Sequence, residues 1–391
     1  KTHEWGGKVT TVSGDLEGSW GYAAELKEDV ASLKRRAREV KVGAPVGEVF
    51  LANRHLDVLE KVPVIGITNG LNSKNHPSQL PELNATFLRE AESRLPEGQT
   101  LFRHPEVETE MLSRDHFFDT RRIRTKKRLK RLLHLECFGQ EPEEDPILLA
   151  AVGRLVEQKN LSLVAEVAER SLALDPELKF VILASAPEGD PEGKRTEMQF
   201  RQLSYRHPSR FFFESIFNAP LSKLILAGSD FALIPSRFEP CGLVDYEASL
   251  LGSVVIGHRV GGLAKVDDCA YLYEWLDLSD RAGEARAFFH EIERAVATYR
   301  NDPAAHARLM RRAMKVDASW DASADQYLRV YRSGLLLQEW RKKKRSLLQS
   351  VVKYGQNIWG AEPELARLLD VEQDLLDRHL MQTLRTLEEA D

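Results

Sequence analysis

Two positively charged residues follow the end of an apolar run, where they could bind an anion. Arg154 and Lys159 lie in the segment GRLVEQKN (153–160), which continues from the apolar run ILLAAVG. Gly153 ends that run and lets a ligand approach the backbone closely. The segment leads into a predicted helix, and the first N–H groups of a helix attract negative charge. The pattern predicts an anion site, for example for a diphosphate; two solvated cations at a strand end are the alternative.

Two carboxylates lie in a second segment, PSRFEPCGLVDYE (235–247). Pro240 prevents a helix from starting earlier, so a helix is predicted from about Leu243. Glu239, before that helix, could accept hydrogen bonds from sugar hydroxyls, and Glu247, within it, could accept them from a ribose diol. Each could equally be structural, with Glu239 as a capping or ion-paired residue and Glu247 as a surface helix residue.

A third segment, RVGGLAKV (259–266), contains the pair Gly261 and Gly262 after another apolar run. Two glycines without side chains allow the backbone to approach a ligand such as a phosphate group closely. A turn with no ligand is the alternative, and by itself this pair does not distinguish the two.

The elements around these segments place all three at one edge of a sheet. Apolar strands alternate with helices of 10–14 residues from 147 to 259. Strands are predicted at 147–153, 179–185, 230–235 and 253–259, and the apolar run SRFFFES (209–215) follows the second of them. This alternation predicts βαβ units and a parallel sheet covered on both faces. Ligands of such sheets bind at the carboxyl ends of the strands. Cations, carboxylates and close backbone approach together indicate a nucleotide-sugar pocket there.

The rest of the chain is predicted to be mainly helical. Short strands are expected at 8–12 and 62–67, and helices at 21–40, at 125–139 with a basic face, and from about 284 onwards. Leucines in the tail recur at helical spacing and predict one apolar stripe that either packs within the molecule or self-associates. These are Leu365, Leu368, Leu369, Leu375, Leu376, Leu380, Leu384 and Leu387.

Composition excludes several classes of protein. The 391 residues suggest about two domains, and the net charge of −5 argues against a nucleic-acid partner for the whole chain. Cys137, Cys241 and Cys269 are far apart and form no CxxC pair, which indicates a reducing compartment rather than a zinc site or disulfide framework. No apolar run approaches the roughly 18–20 residues needed to span a membrane. Because the chain begins at Lys1, we expect a fragment or a processed chain.

The three segments resemble motifs of the glycogen and starch synthase family. GRLVEQK (153–159) is similar to its R-L-x-x-Q-K, AGSDFALIPSRFEPCGL (227–243) to its A-G-A-D-F-x-L-x-P-S-R-F-E-P-C-G-L, and RVGGL (259–263) to its R-T-G-G-L. Weaker matches extend the resemblance to roughly residues 8–335. They are VTTVS (9–13), YAAEL (22–26), ITNGL (67–71) and ASWDASADQYLRVYRS (318–333).

The resemblance implies an α/β protein of the GT-B glycosyltransferase fold, in which two Rossmann-like domains face a cleft. Residues 1–70 would then be the incomplete end of the N-terminal domain. Residues 71–318 would be the C-terminal nucleotide-sugar-binding domain with its parallel sheet. Residues 319–391 would comprise C-terminal helices that cross back to the N-terminal domain and a charged helical tail.

The resemblance also implies a retaining transfer of glucose from a nucleoside diphosphate glucose, ADP-glucose or otherwise UDP-glucose, to an α-1,4-glucan. Arg154 and Lys159 would contact the diphosphate, and Glu239 the transferring glucose. The other donor-binding residues would be Cys241, Gly242, Leu243, Glu247, Gly261 and Gly262. No cofactor and no metal are implied. The partners would be nucleotide sugar and α-glucan, with a homo-oligomer possible, in the cytoplasm or, in a plant or alga, a plastid.

The sequence departs from the family pattern at several places. The N-terminal K-x-G-G-L donor loop and the stretch with the family's active-site histidine are not in this chain, and Glu247 stands where the family usually has tyrosine. APEGDPEG (186–193) replaces an expected glycine-rich turn. These departures leave two alternatives open. One is a GT-B enzyme of other specificity, such as an α-1,3-glucan synthase module or a sucrose-type transferase; the other is a non-catalytic glucan-binding or regulatory subunit.

Overall fold

A computed structural model of the chain describes residues 79–332, except 118–122, 143, 240, 276, 278 and 279, together with 67, 69–71, 76, 335 and 342. The chain divides into two compact units, Lys1–Trp320 and Asp321–Asp391. The strand predicted at 8–12, the helix predicted at 21–40 and the leucine stripe of the tail lie outside the described residues, as does nearly all of the strand predicted at 62–67. The division into three parts that the resemblance implies stays a prediction.

Six parallel strands form the sheet of the first unit, in the order β3-β2-β1-β4-β5-β6. Their apolar runs are buried on both faces because helices cover both sides, as in other all-parallel sheets. The parallel sheet predicted from the alternation is therefore confirmed. The strands are β1 (Ile147–Arg154), β2 (Leu178–Ser185), β3 (Phe211–Glu214), β4 (Phe231–Ile234), β5 (Val254–His258) and β6 (Tyr271–Tyr273).

Three helices of the described residues precede the sheet, and the others connect its strands or follow them. They are α1 (Ala85–Glu92), α2 (Pro105–Ser113), α3 (Ile123–Phe138), α4 (Ser162–Leu174), α5 (Pro191–Arg206), α6 (Ala219–Gly228), α7 (Val244–Leu250), α8 (Arg281–Asn301) and α9 (Pro303–Ala313). Asparagine or aspartate side chains accept hydrogen bonds from the first N–H groups of five of them, which fixes where these helices begin. The capping residues are Asn84, Asp190, Asn218, Asp280 and Asp302.

The strand order creates a switch point beside β1. This strand pairs with β2 on one side and with β4 on the other, where Leu149 lies opposite Phe231. The strands that precede the three candidate segments are β1, β4 and β5, which are neighbours in the sheet although they are not consecutive in the chain. The three segments therefore meet at the carboxyl edge of the sheet, as predicted.

Two elements of the sheet region have no counterpart in the sequence prediction. Helix α5 begins with Pro-Glu-Gly and is mostly polar, so that only a few residues, among them Phe200 and Leu203, are buried in the core. Strand β6 has three residues and depends on pairing with β5 at the end of the sheet. A further difference is that the segment after β5 forms a 3₁₀ helix over Gly261–Cys269 rather than an open loop.

The basic helix α3 buries two of its lysines instead of exposing them. Lys126 Nζ donates to the carbonyl oxygens of Ala227, Ser229 and Leu251, and burial lowers its pKa to about 7. Lys130 pairs with the buried Asp230 at 2.8 Å. The ammonium groups thus hold the C-terminal ends of α6 and α7 against α3.

Two of the weaker sequence matches, ITNGL and the start of ASWDASADQYLRVYRS, come together at one point of the first unit. Leu71, from ITNGL, forms a parallel bridge with Ser319, and its N–H donates to the carbonyl oxygen of Ala318 at 2.6 Å. In the second unit, residues 321–332 are helical, and the rings of Tyr327 and Tyr331 stack with centroids 6.2 Å apart. None of the helices in the described ranges is long and apolar enough to cross a membrane.

Candidate active site

An ion pair joins the first candidate segment to the second. Lys159 ends a short 3₁₀ turn after β1, and its Nζ contacts Oε2 of Glu239 in the segment after β4. The Glu239 side chain is 6% exposed, so it is a buried carboxylate with a charged partner. Ser236 donates a second hydrogen bond to the same oxygen at 3.1 Å. Within the described residues, no partner is assigned to Oε1 of Glu239, which leaves one carboxylate oxygen available to a ligand.

Backbone contacts fix the same two segments against each other. The N–H of Arg237 donates to the carbonyl oxygen of Gln158 at 3.0 Å, and the side-chain amide of Gln158 donates to the carbonyl oxygen of Phe238 at 2.9 Å. These bonds lie beside the ion pair in both segments. Lys159 and Glu239 are therefore brought together by the backbone and not by their charges alone.

The glycine pair of the third segment packs directly on the second. The N–H of Gly262 donates to the carbonyl oxygen of Glu239 at 2.6 Å. A Cβ atom at position 262 would lie 2.3 Å from the carbonyl oxygen of Cys241, so any side chain there would have to displace that backbone. Gly242 has a φ of +63°, a conformation that glycine adopts without steric cost. The second predicted segment thus contacts both the first and the third.

Three of the predicted residues lie apart from this contact. Arg154 is exposed at the end of β1, and within the described part of the chain no partner is assigned to its guanidinium. Leu243 occupies the N-cap position of α7 and is 39% exposed. Glu247 pairs with Lys223 of α6 at 2.7 Å, and both side chains are largely buried. Glu247 is therefore ion-paired within the protein rather than a solvated residue of a helix surface.

Comparison with known proteins identifies the part of the chain that carries this site. Residues 136–267 match the family model described as "Glycosyl transferases group 1". This segment is a glycosyl transferases group 1 domain. All three candidate segments lie within it, so the predicted glycosyltransferase class is confirmed for the part of the chain that carries the site.

The curated relatives that match this domain include glycogen synthases, which confirms the resemblance to that family. The glycogen synthase of Desulforudis audaxviator (strain MP104C) is 39% identical over 202 residues, covering 50% of this chain and 38% of the relative. That of Clostridium novyi (strain NT) is 33% identical over 224 residues, covering 56% and 43%. The match therefore covers roughly two fifths of the length of these relatives.

A solved structure supports the fold. The catalytic domain of starch synthase IV from Arabidopsis thaliana, bound to ADP and acarbose, has a TM-score of 0.57 and 23% sequence identity; the alignment covers 82% of this chain and 55% of that one. The six-stranded parallel sheet is thus similar to that of GT-B glycosyltransferases such as starch synthase. The predicted fold class is confirmed for the described residues, whereas the predicted roles of the individual site residues stay predictions.

A buried ion pair joins the second and third candidate segments of the glycosyl transferases group 1 domain, and the sequence prediction missed it. Lys265 Nζ donates to the carbonyl oxygens of Cys241 and Gly242 and pairs with Asp245 at 2.8 Å; neither side chain is more than 1% exposed. Burial raises the pKa of Asp245 to about 6, while the Lys265 ammonium acts in the opposite direction. The only sequence signal was a lysine shortly after the glycine pair.

A second buried carboxylate, Glu284 of α8, lies behind the ion pair of the site. Its Oε1 accepts a hydrogen bond from the side-chain amide of Asn160 at 2.7 Å, and its Oε2 lies 3.6 Å from Arg237 Nη2. Asn160 directly follows Lys159 in the chain. Nothing in the local sequence around Glu284 relates it to segments more than 40 residues away, so sequence patterns could not have identified this contact.

Proposed function

We propose that this domain binds a nucleoside diphosphate glucose, with ADP-glucose favoured, and that the complete enzyme transfers its glucose to an α-1,4-glucan with retention of configuration. The observation that carries the proposal is the ion pair of Lys159 with the buried Glu239 beside the backbone of Gly262. A cation, a carboxylate oxygen and a closely approaching backbone thus lie side by side, and this combination of groups supports binding of a nucleotide sugar. The names of the curated relatives support glucan synthesis as the reaction.

In this proposal, Lys159 and Arg154 stabilise the diphosphate leaving group. As the glycosidic bond breaks, negative charge grows on the diphosphate, and fixed positive groups stabilise that charge. Lys159 has three N–H donors, so it can keep its contact with Glu239 and still donate to a phosphate oxygen. Arg154 is exposed at the same edge of the sheet and can turn towards the second phosphate. One preorganised donor of this kind is worth about 3–4 kcal/mol of the activation barrier.

The carboxylate explains recognition of the sugar. Glu239 is held by Lys159 and Ser236 through Oε2, which leaves Oε1 to accept a hydrogen bond from a glucose hydroxyl. Because the side chain is buried, this bond forms in a medium of low dielectric constant and is strong. No side chain of the domain is assigned the role of a nucleophile, and the proposal includes no cofactor and no metal.

Nucleotide binding tests the proposal directly. We expect ADP, UDP or both to bind the 391-residue chain saturably in titration calorimetry, and Lys159→Ala to weaken that binding at least about tenfold, the effect of about 1.4 kcal/mol. The matched control is Lys127→Ala, on the exposed face of α3. No binding of either nucleotide, or equal binding by the two variants, would overturn the proposal.

Transfer is measured on the full-length gene product with labelled ADP-glucose, UDP-glucose and glycogen. We expect label in a polymer that α-amylase digests. A polymer that resists α-amylase would favour the α-1,3-glucan alternative. Glucan binding without any nucleotide binding would favour the non-catalytic subunit. EDTA should leave the rate unchanged, and loss of activity with the chelator would contradict the metal-free scheme.

A further inference from the structure

We propose that Glu284 is a positioning residue that holds the segments of Lys159 and Glu239 in their binding geometry. The expected effect on nucleotide binding rests on the proposed function, whereas the positioning of the two segments by Glu284 does not. Glu284 lies in the first turn of α8 and is fully buried. Its two carboxylate oxygens face different segments of the site, Oε1 towards Asn160 and Oε2 towards Arg237.

The contact with Asn160 fixes the turn that follows Lys159. Asn160 has a φ of +50° and a ψ of +29°, in the left-handed region, where asparagine is one of the few tolerated side chains. Its amide is used at both ends, since Nδ2 donates to Glu284 at 2.7 Å and Oδ1 accepts from Arg281 Nη1 at 2.6 Å. Both partners belong to α8. This helix therefore fixes the end of the 3₁₀ turn and, with it, the position of Lys159.

The contact with Arg237 fixes the second segment. Arg237 stands two residues before Glu239, and its Nη2 lies 3.6 Å from Glu284 Oε2, within the range of an ion pair. Neither Arg237 Nε nor Glu284 Oε2 forms a hydrogen bond within the described residues, although both are buried. Arg237 also pairs through Nη1 with Glu157 at 3.5 Å, but the Glu157 side chain is 85% exposed, so Glu284 is the buried partner of Arg237. Removing the Glu284 charge would leave Arg237 with only a solvent-exposed partner, which compensates it more weakly.

Helix capping does not account for Glu284. The side chain of Asp280 already accepts a hydrogen bond from the N–H of Gly283 at 2.8 Å at the start of α8. Glu284 instead points into the protein, where the hydroxyl of Tyr273 is also buried and has no hydrogen-bond partner within the described residues. Burial raises the pKa of Tyr273, and the negative charge of Glu284 raises it further. The carboxylate thus lies in the protein interior behind the site.

The matched pair Glu284→Gln and Glu291→Gln tests this inference. Both residues are buried glutamates of α8, but Glu291 pairs with Arg294 on its own helix and makes no assigned contact with the candidate segments. Two measurements are made on the 391-residue chain. They are the dissociation constants of ADP and UDP, and the rate at which iodoacetamide alkylates the half-buried Cys241, read by mass spectrometry. Thermal unfolding shows whether the two variants lose similar stability.

We expect Glu284→Gln to raise the nucleotide dissociation constant about tenfold and to change the Cys241 alkylation rate at least about threefold, with Glu291→Gln close to wild type in both. Equal behaviour of the two variants would overturn the inference. If the wild type binds neither nucleotide, the proposed function fails, and the alkylation rate alone decides the inference.

A second variant covers the case in which Glu284→Gln does not fold. Asn160→Gly keeps the left-handed backbone, because glycine adopts it freely, and removes the amide together with its contacts to Glu284 and Arg281 of α8. We expect a smaller rise of about threefold in the dissociation constant and a measurable change in Cys241 alkylation. Wild-type values for both in the folded variant would contradict a positioning role for Glu284.

Discussion

At the scale of single residues, the site depends on two opposite charges that neutralise each other. Lys159 and Glu239 are 80 residues apart in the sequence, and their side chains form a partly buried ion pair. Breaking such a pair by removing one partner leaves the other charge uncompensated, which is costly in a buried environment. Substitutions at either residue should therefore affect ligand binding more strongly than substitutions in a solvent-exposed ion pair would.

The first prediction concerns Glu239. In Glu239→Gln the shape is kept, but one acceptor oxygen becomes a donor and the charge beside Lys159 is lost. We expect turnover of the full-length gene product to fall at least about 10²-fold, the scale of a buried charge-assisted hydrogen bond, with an unchanged circular dichroism spectrum. The control is Glu188→Gln, an exposed residue of the segment after β2. Activity close to that of the wild type would show that Glu239 does not take part in the site.

The second prediction concerns the pH dependence of stability at Asp245, whose pKa is raised to about 6 by burial. The ordinary pKa of aspartate is about 3.9, so the folded protein takes up a proton between about pH 6 and pH 4 before the unfolded chain does. This group's contribution to the free energy of unfolding therefore increases as the pH falls through about 6.

Asp245→Asn cannot titrate and serves as the reference. As the pH is lowered from about 7 to about 5, the free energy of unfolding of the wild type should rise relative to that of the variant. Urea denaturation at each pH measures this difference. A difference that stays constant over that range, or that shrinks, would mean that the carboxyl group has no raised pKa in the folded protein.

At the scale of elements, the sheet positions the site, and one close backbone contact fixes the segments after β4 and β5 against each other. Gly262 leaves no space beside the carbonyl oxygen of Cys241, so the segments after β4 and β5 behave as one unit. Lys265 reinforces this unit by donating to two carbonyl oxygens of the same segment. The geometry of the pocket is thus determined by packing between segments more than by any single side chain.

The third prediction follows from that contact. In Gly262→Ala the added methyl group must displace the backbone of Cys241, and we expect a loss of about 1–3 kcal/mol of stability together with loss of nucleotide binding. Gly153→Ala is the control for the change in stability, since its Cβ would meet only the side chain of Leu161 at 3.7 Å. The two variants are compared by urea denaturation and calorimetry. Similar values for both would show that the backbone yields easily at position 262.

The elements that the sequence predicts well are those with a strong local pattern. Apolar runs such as ILLAAVG and KFVILAS gave strands whose bounds agree within one residue at each end with β1 and β2. Helix α5 was missed because its few buried apolar residues stand among charged ones, and β6 was missed because its three residues become a strand only through β5. The pairing of Lys265 with Asp245 likewise has no local pattern, because it depends on how two segments pack.

At the scale of the whole molecule, this chain matches only part of the length of its curated relatives. The match covers 38% of the Desulforudis audaxviator glycogen synthase and 43% of that of Clostridium novyi. In the GT-B fold that the sequence resembles, two domains face a cleft. The K-x-G-G-L donor loop of the glycogen and starch synthase family is not in the 391-residue sequence.

The fourth prediction concerns the activity of this chain by itself. We expect the 391-residue chain to bind nucleotide but to incorporate no glucose into glycogen, because the K-x-G-G-L donor loop that the resemblance implies is not in its sequence. Labelled ADP-glucose and UDP-glucose are supplied in turn, with a glycogen synthase of known activity as the positive control. Robust glucan synthesis by residues 1–391 would contradict the prediction.

The position of β1 in the middle of the sheet has a consequence for the order in which the protein is assembled during translation. Its partner β2 follows soon in the chain, so β1, β2 and β3 can pair early, through contacts of short sequence separation. Its other partner, β4, is made only after β3, and closing that longer loop costs more entropy. Glu239 reaches Lys159 only after β4 has joined β1, and Glu284 emerges from the ribosome later still. We therefore expect the pocket to be the last part of the sheet domain to form on the nascent chain.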